Sequence, residues 1–266
     1  MLKEKYSFSD LIDIMAHLRS AGGCPWDREQ NHDSLKRYLI EETYEVLEAI
    51  DSKNTGGMAE ELGDLLLQIV FHAQIGREEG TFDINDVIDG ICRKMVLRHA
   101  HVFGDDRADT ADEVVDKWEA IKKREKGQRT QTSVLKGVPS NLPSLMRSYK
   151  VQQKASQVGF DWDNVEDVIT KVDEEIQELK DVYKSKNVER ITDEMGDVFF
   201  ALVNLSRFLD VQPELALTGT VNKFIKRFEY IERESAKAGR KLEDMSLKEM
   251  DELWEKAKIH ISEKNG

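Results

Sequence analysis

Apolar residues recur at three- and four-residue steps through most of the chain, as in Leu62, Leu65, Leu66, Ile69 and Val70. That spacing places them on one face of a helix. It predicts ten helices in two sets of five. The first set covers 9–19, 33–49, 58–76, 84–101 and 112–126; the second covers 145–157, 164–183, 188–209, 213–239 and 246–264. Ser9 and Asp112 read as N-caps, Gly22-Gly23, Gly56-Gly57 and Gly80 as stops, and Ser246-Leu-Lys-Glu249 as a capping box. No run alternates as a strand would, so the expected class is all-α. The stretch 127–144 is polar, carries Pro139 and Pro143 and lacks helical periodicity. The expected organisation is a domain at 1–127, a linker at 128–144 and a domain at 145–266.

The two sets of helices repeat one another. Glu41-Glu42-Thr-Tyr-Glu45 lies 133 positions before Glu174-Glu175-Ile-Gln-Glu178, and Glu61-Leu-Gly-Asp64 lies 133 before Glu194-Met-Gly-Asp197. Lys94 and Arg98 precede Lys223 and Arg227 by 129; Trp118 and Lys122 precede Trp254 and Lys258 by 136. Acids, glycines, basic pairs and tryptophans agree together, which marks a duplication.

Within each half the acids are symmetric about a turn. Glu42 and Glu45 share a helix face, as do Glu61 and Asp64. Folding the two helices into a hairpin sets Glu42 level with Asp64 and Glu45 level with Glu61. The second half pairs Glu175 with Asp197 and Glu178 with Glu194 in the same way. Four gathered carboxylates repel unless a cation sits among them. An all-oxygen set suits Mg²⁺, with Mn²⁺ as a substitute, better than zinc, since no Cys or His joins it. A solvated acidic face is the competing account of one quartet; symmetric placement in both halves favours a site.

Lys94 and Arg98, like Lys223 and Arg227, are four apart and share a face. Carboxylate-held metal beside a basic pair is equipment for a polyphosphate. Trp118 with Lys122 and Trp254 with Lys258 allow two readings: a stacked base with a held phosphate, or indoles packed in the core. The segment Cys24-Pro-Trp-Asp-Arg-Glu-Gln-Asn-His32 is unusual in composition, and its counterpart Gly159-Phe-Asp-Trp162 keeps the aromatic and acidic character. Neither is assigned chemistry. His99 and His101 are expected at a helix end or the surface.

Composition narrows the function. Against 39 Lys and Arg stand 52 Asp and Glu, a net charge of −13, which repels nucleic-acid phosphates. Two cysteines, Cys24 and Cys92, make no disulfide framework. The start, MLKEKYSFSD, has no apolar run, and the most apolar stretches, 65–73 and 198–209, are short of the ~20 residues that span a bilayer. The expectation is a cytoplasmic protein that engages neither membrane nor nucleic acid.

Glu-Glu-x-x-Glu followed by Glu-x-x-Asp, twice, with the CPWDREQ segment and the Trp-Glu-x-x-Lys endings, resembles the two-domain MazG nucleoside triphosphate pyrophosphohydrolases across nearly the whole chain. The resemblance implies tandem all-α helical bundles, a homodimer, and Mg²⁺-dependent hydrolysis of an NTP to an NMP and diphosphate. It implies that Glu175, Glu178, Glu194 and Asp197 ligate metal, with Glu174 beside them in catalysis. Lys171, Glu174, Arg190, Lys223, Arg227, Trp254 and Lys258 would surround the nucleotide. Glu42, Glu45, Glu61 and Asp64, with Lys94, Arg98, Trp118 and Lys122, match in the first half. The resemblance favours the C-terminal copy as the working one. Tyr38 stands where Lys171 stands in the second half, which would weaken a phosphate site there. The mechanism expected is attack by a metal-activated water, its proton accepted by a quartet carboxylate or by Glu174. A regulatory module that senses Mg-nucleotide without hydrolysis would use the same ligands.

Overall fold

The computed structural model describes residues 2–104, 106–110, 113, 114, 117, 118, 121, 125 and 130–264, apart from the side chains of 262–264. The elements below are those among the described residues, and all are helical. The chain divides into two compact units, Met1–Lys122 and Lys123–Gly266.

The first unit contains α1 (Phe8–Leu18), α2 (Pro25–Glu29), α3 (Lys36–Asp51), α4 (Thr55–Glu79), α5 (Ile84–Arg98) and α6 (Ala100–Phe103). α3 and α4 form the central hairpin, and α1 and α5 pack against α4. Met15, Leu35, Val70, Phe71, Ala73, Ile75 and Ile84 make the core. Two cap expectations are corrected. Ser7, not Ser9, caps α1, because its hydroxyl and the Asp10 carboxylate form a reciprocal capping box that takes Phe8 into the helix. Gly56-Gly57 does not stop a helix; it lies in the first turn of α4. Asn54 caps that turn by accepting from Gly57 N, and a Cβ at Gly57 would lie 2.5 Å from the Asn54 side chain. Gly80 does end α4, at φ 68°, a left-handed conformation that glycine adopts without steric cost. The helix expected at 112–126, with its Asp112 cap, falls largely outside the described residues.

The second unit contains α7 (Gln131–Lys136), α8 (Ser144–Ser156), α9 (Val165–Val182), α10 (Val188–Phe208), α11 (Pro213–Lys237) and α12 (Leu247–Lys264). α9 and α10 form the hairpin, α8 packs on α10 and α11, and α11 pairs with α12. The stretch read as a linker holds α7, opened by a Thr130–Ser133 capping box, with Val134 and Val138 buried. At six residues α7 is too short to show a period in sequence. Ser246 and Glu249 cap α12 reciprocally, as the motif predicts.

The duplication is visible in the backbone. Asn54 and Asn187, 133 positions apart, cap equivalent helices, and each follows a lysine held at positive φ, Lys53 at 53° and Lys186 at 60°. The caps of the next helices, Asp83 and Gln212, are 129 apart, because α10, at 21 residues, is one turn shorter than α4, at 25. That shortening accounts for the change of offset from acids to basic pairs.

Candidate metal and nucleotide site

α9 and α10 run out of the turn at Asn187 and bring Glu175, Glu194 and Asp197 together, with one carboxylate oxygen from each lying within 4.8 Å of the others. Glu178 completes the quartet from the next turn of α9. Its carboxyl is raised above the usual range by burial first and then by the charges of Glu175 and Glu194. Glu175 is 7% exposed, and its Oε2 is buried without a hydrogen-bond partner. A buried carboxylate oxygen in that condition wants a cation or a donor. Lys171, one turn earlier on α9, supplies part of the compensation. Its Nζ lies 2.8 Å from Glu175 and 2.9 Å from Glu174, and these bonds hold the ammonium well above its usual pKa.

The first unit gathers acids at the same height of its hairpin, though a different three of the four converge. Glu42, Glu45 and Glu61 converge within 4.8 Å. The Glu42 carboxyl is raised by burial and then by Asp64; that of Glu61 is raised by burial and then by Glu45. Glu42 thus faces Asp64 and Glu45 faces Glu61, as symmetry about the turn requires.

In the second unit an apolar pocket adjoins the acids. A cavity of about 430 Å³ opens beside Glu175, Asp197 and Lys171, with the rings of Phe160, Trp162 and Phe200 in its wall and Asn204 and Arg207 at its polar end. Arg207 is anchored by Asp161, in the loop before α9, and donates to Asn204 Oδ1 at 2.9 Å. The Gly159–Trp162 segment, assigned no chemistry from sequence, is therefore a wall of the pocket. The alternation of Phe160 and Trp162 around an acid was its one sequence signal. Its ion pair with Arg207 crosses 46 positions and leaves none.

In the first unit the matching place is filled. Under the 133-residue repeat, Phe71 stands for Asn204 and Tyr38 for Lys171. The Trp26 indole meets Tyr38 edge-on at 5.8 Å and Phe71 at 6.5 Å, and Phe71 is 3% exposed. Arg19 donates to the carbonyls of Asp27 and Gln30, pairs with Glu78 and lies over the Phe71 ring. The CPWDREQ segment, likewise unassigned from sequence, is thereby clamped onto α4 as a plug.

The remaining candidates are placed elsewhere. Arg227 lies 5.3 Å over the Trp254 ring, which also packs 5.0 Å from Phe224. Lys258 pairs with Glu255. Lys223, Arg227, Trp254 and Lys258 belong to the α11–α12 hairpin and are not among the pocket's lining residues. Arg190 lies one turn before Glu194 on α10. In the first unit Lys94 is exposed on α5, Arg98 ends that helix, and Trp118 packs edge-on to His99 at 4.8 Å. Lys122 lies outside the described residues. His99 caps the end of α5, where it was expected. None of the described helices is long and apolar enough to cross a membrane.

The chain is similar in sequence to known proteins. The chain matches the MazG nucleotide pyrophosphohydrolase domain over residues 30–103 and again over 163–231, once in each unit. It is 48% identical over 251 residues to the nucleoside triphosphate pyrophosphohydrolase/pyrophosphatase MazG of Thermotoga maritima, covering 94% of this chain and 95% of that protein. It is 43% identical over 253 residues to the nucleoside triphosphate pyrophosphohydrolase of Escherichia coli K12, covering 93% and 95%. Uncharacterized protein YabN of Bacillus subtilis is 50% identical over 254 residues, which are 95% of this chain and 52% of YabN. Two matched segments, two acid clusters at equivalent turns and full-length similarity together establish that this chain belongs to the MazG family, with the domain in duplicate.

Proposed function

We propose that the protein hydrolyses nucleoside triphosphates to nucleoside monophosphates and diphosphate, in its second unit, over the domains 1–127 and 145–266. The observation that carries this reading is the junction of Glu175, Glu194, Asp197 and Lys171 with an aromatic-walled pocket. A triphosphate needs the charged part and its nucleoside the apolar part.

The donor set fits a hard divalent cation: every ligand is a carboxylate oxygen, and the unpartnered Glu175 Oε2 marks unmet charge. Glu175, Glu178, Glu194 and Asp197 would hold Mg²⁺, or Mn²⁺ in its place. Such an ion, when bound, lowers the pKa of a water and offsets phosphate charge. Lys171 pairs with Glu175 and adds positive charge at the phosphate end. Glu174, exposed and hydrogen-bonded to Lys171, is placed to accept the proton of the attacking water. Phe160, Trp162 and Phe200 take the nucleoside and exclude water from it. Arg190, which shares a face of α10 with Glu194, and Lys223, Arg227 and Lys258 from the α11–α12 hairpin receive the remaining phosphate charge. The plug of Trp26, Tyr38 and Phe71 leaves the first unit with Glu42, Glu45, Glu61 and Asp64 but without a nucleoside pocket, which supports the second unit as the working one.

The protein acts as a homodimer in this reading. Leu217, Val221, Phe224 and Phe228 follow one another along a single face of α11, all exposed in the chain by itself. An apolar face of that length marks association, and light scattering at twice the 30.6 kDa chain mass is expected.

Incubation with each NTP and Mg²⁺, followed by phosphorus NMR, tests the activity. NMP and diphosphate are expected, lost in Glu175→Ala and retained in Glu42→Ala. Loss in Glu42→Ala alone would move the site to the first unit. No turnover, with Mg-NTP still raising the melting temperature, would leave a nucleotide-sensing module in place of an enzyme.

A further inference from the structure

The nucleoside pocket of the second unit contains two side-chain amides whose orientations are locked by the protein. Gln152, on α8, is 8% exposed. Its Nε2 donates to the backbone carbonyl of Phe200 at 2.8 Å, which leaves Oε1 as the free end of the amide. That Oε1 is buried and has no hydrogen-bond partner. Asn204, one turn after Phe200 on α10, is locked the opposite way. Its Oδ1 accepts from Arg207 Nε at 3.1 Å and from an Arg207 terminal nitrogen at 2.9 Å, so its Nδ2 is the end left to bind. Both residues line the pocket.

We propose that Gln152 and Asn204 are the base-reading pair of this site, and that they require a nucleobase edge carrying an N–H donor beside a lone-pair acceptor. The proposal rests on the hydrolase reading above. Gln152 Oε1 accepts from the base N–H, and Asn204 Nδ2 donates to the neighbouring ring nitrogen or carbonyl oxygen. Neither amide can rotate to exchange its ends without breaking a bond already made, to Phe200 O in one case and from Arg207 in the other. The polarity of the pair is thus fixed before a nucleotide arrives. A buried acceptor left empty costs its full desolvation, so a base that presents no N–H is rejected far more strongly than one of merely different size. Adenine, cytosine, guanine and uracil each present a donor next to an acceptor, so the pair accepts all four, with rates set by their fit to one fixed polarity. It discriminates against bases alkylated on that edge.

The test uses full-length protein, Mg²⁺ and two matched pairs of substrates, ATP with N6,N6-dimethyl-ATP and UTP with N3-methyl-UTP. In each pair methylation removes the donor. Wild type is expected to favour the unmethylated member by at least about a hundredfold in kcat/KM, the scale on which hydrogen-bonding sites reject donorless analogues. Gln152→Leu keeps the side-chain volume and removes the acceptor, so the discrimination in each pair is expected to fall to within about tenfold. Discrimination that persists in Gln152→Leu would be steric and would overturn the proposal, as would its absence in wild type. If Gln152→Leu shows no cooperative melting transition, Gln152→Met, which also removes the amide acceptor, is read by the same ratios. Wild type that turns over no triphosphate at all would instead overturn the hydrolase reading.

Discussion

Lys171 Nζ lies 2.8 Å from the buried carboxylate of Glu175 and 2.9 Å from the exposed one of Glu174. One ammonium therefore bridges the acid that faces the pocket and the acid proposed to take a proton. In Lys171→Met the buried Glu175 carboxylate loses its counter-charge and the site loses a positive charge. kcat/KM at neutral pH is expected to fall by about tenfold or more, the scale of a lost charge-assisted hydrogen bond. Lys171→Arg, which keeps the charge, should restore much of it. Unchanged kcat/KM in Lys171→Met would show that the ion pair has no part in the reaction.

Mg²⁺ should stabilise the protein more at neutral pH than in acid. The Glu42, Glu61 and Glu178 carboxyls all titrate above the usual 4.5 in the folded protein, because burial and neighbouring acids disfavour their charged forms. For a carboxyl raised on folding, the relative stabilisation is complete below the unfolded pKa and is lost as pH rises through the folded value. As pH rises through the folded values these carboxyls gain charge and repel their neighbours, and a divalent cation relieves that repulsion. At pH 4.5 protons compete for the same oxygens. Differential scanning calorimetry with and without Mg²⁺ should give a clearly larger shift in melting temperature at pH 7; equal shifts would contradict this account.

The plug of the first unit is a packing feature, and its removal should cost stability without touching catalysis. Phe71→Ala empties a 3% exposed position beneath Trp26 and Arg19 and is expected to cost about 3–5 kcal/mol in urea unfolding. Met15→Ala, at 1% exposure in the same core, should cost about 2–5 kcal/mol. Folded protein of either variant should hydrolyse NTPs at the wild-type rate. A selective loss of turnover would assign the first unit a part in the reaction.

The start of α12 carries a pH-dependent cap. Glu249 accepts from Ser246 N and pairs with Arg240, and its carboxyl is lowered to about 2, first by the Arg240 hydrogen bonds and then by those of Ser246. A carboxyl depressed in this way stabilises above its unfolded pKa, and the effect fades as pH falls through the folded value. Glu249→Gln should therefore be less stable than wild type at pH 7, with the deficit shrinking toward pH 2. Ser246→Ala removes the reciprocal half of the cap and should cost about 1 kcal/mol. A deficit for Glu249→Gln that is independent of pH would mean that the carboxylate charge is not what stabilises this helix start.

The sequence by itself determined the helices, the duplication and the level at which the acids meet, because these depend on local periodicity. Apolar spacing sets the helix faces, and the turns before Asn54 and Asn187 place Glu42 opposite Asp64 and Glu175 near Asp197. The Ser246–Glu249 cap was legible from its Ser-x-x-Glu spacing, whereas the Ser7–Asp10 box was masked by a second serine, Ser9, inside the first turn. α7 was not, since six residues hold less than two turns. Only the tertiary structure decided which copy has room for a nucleoside. Trp26 and Phe71 are 45 positions apart, as are Trp162 and Arg207, and nothing local says whether two such side chains touch or leave a space between them. Both units have an aromatic, an acid and a basic residue ahead of the first acid pair, so their compositions nearly agree. The difference lies in packing. A phenylalanine at position 71 draws an indole onto itself and closes the first unit, whereas an asparagine at 204, held by Arg207, keeps the second one open.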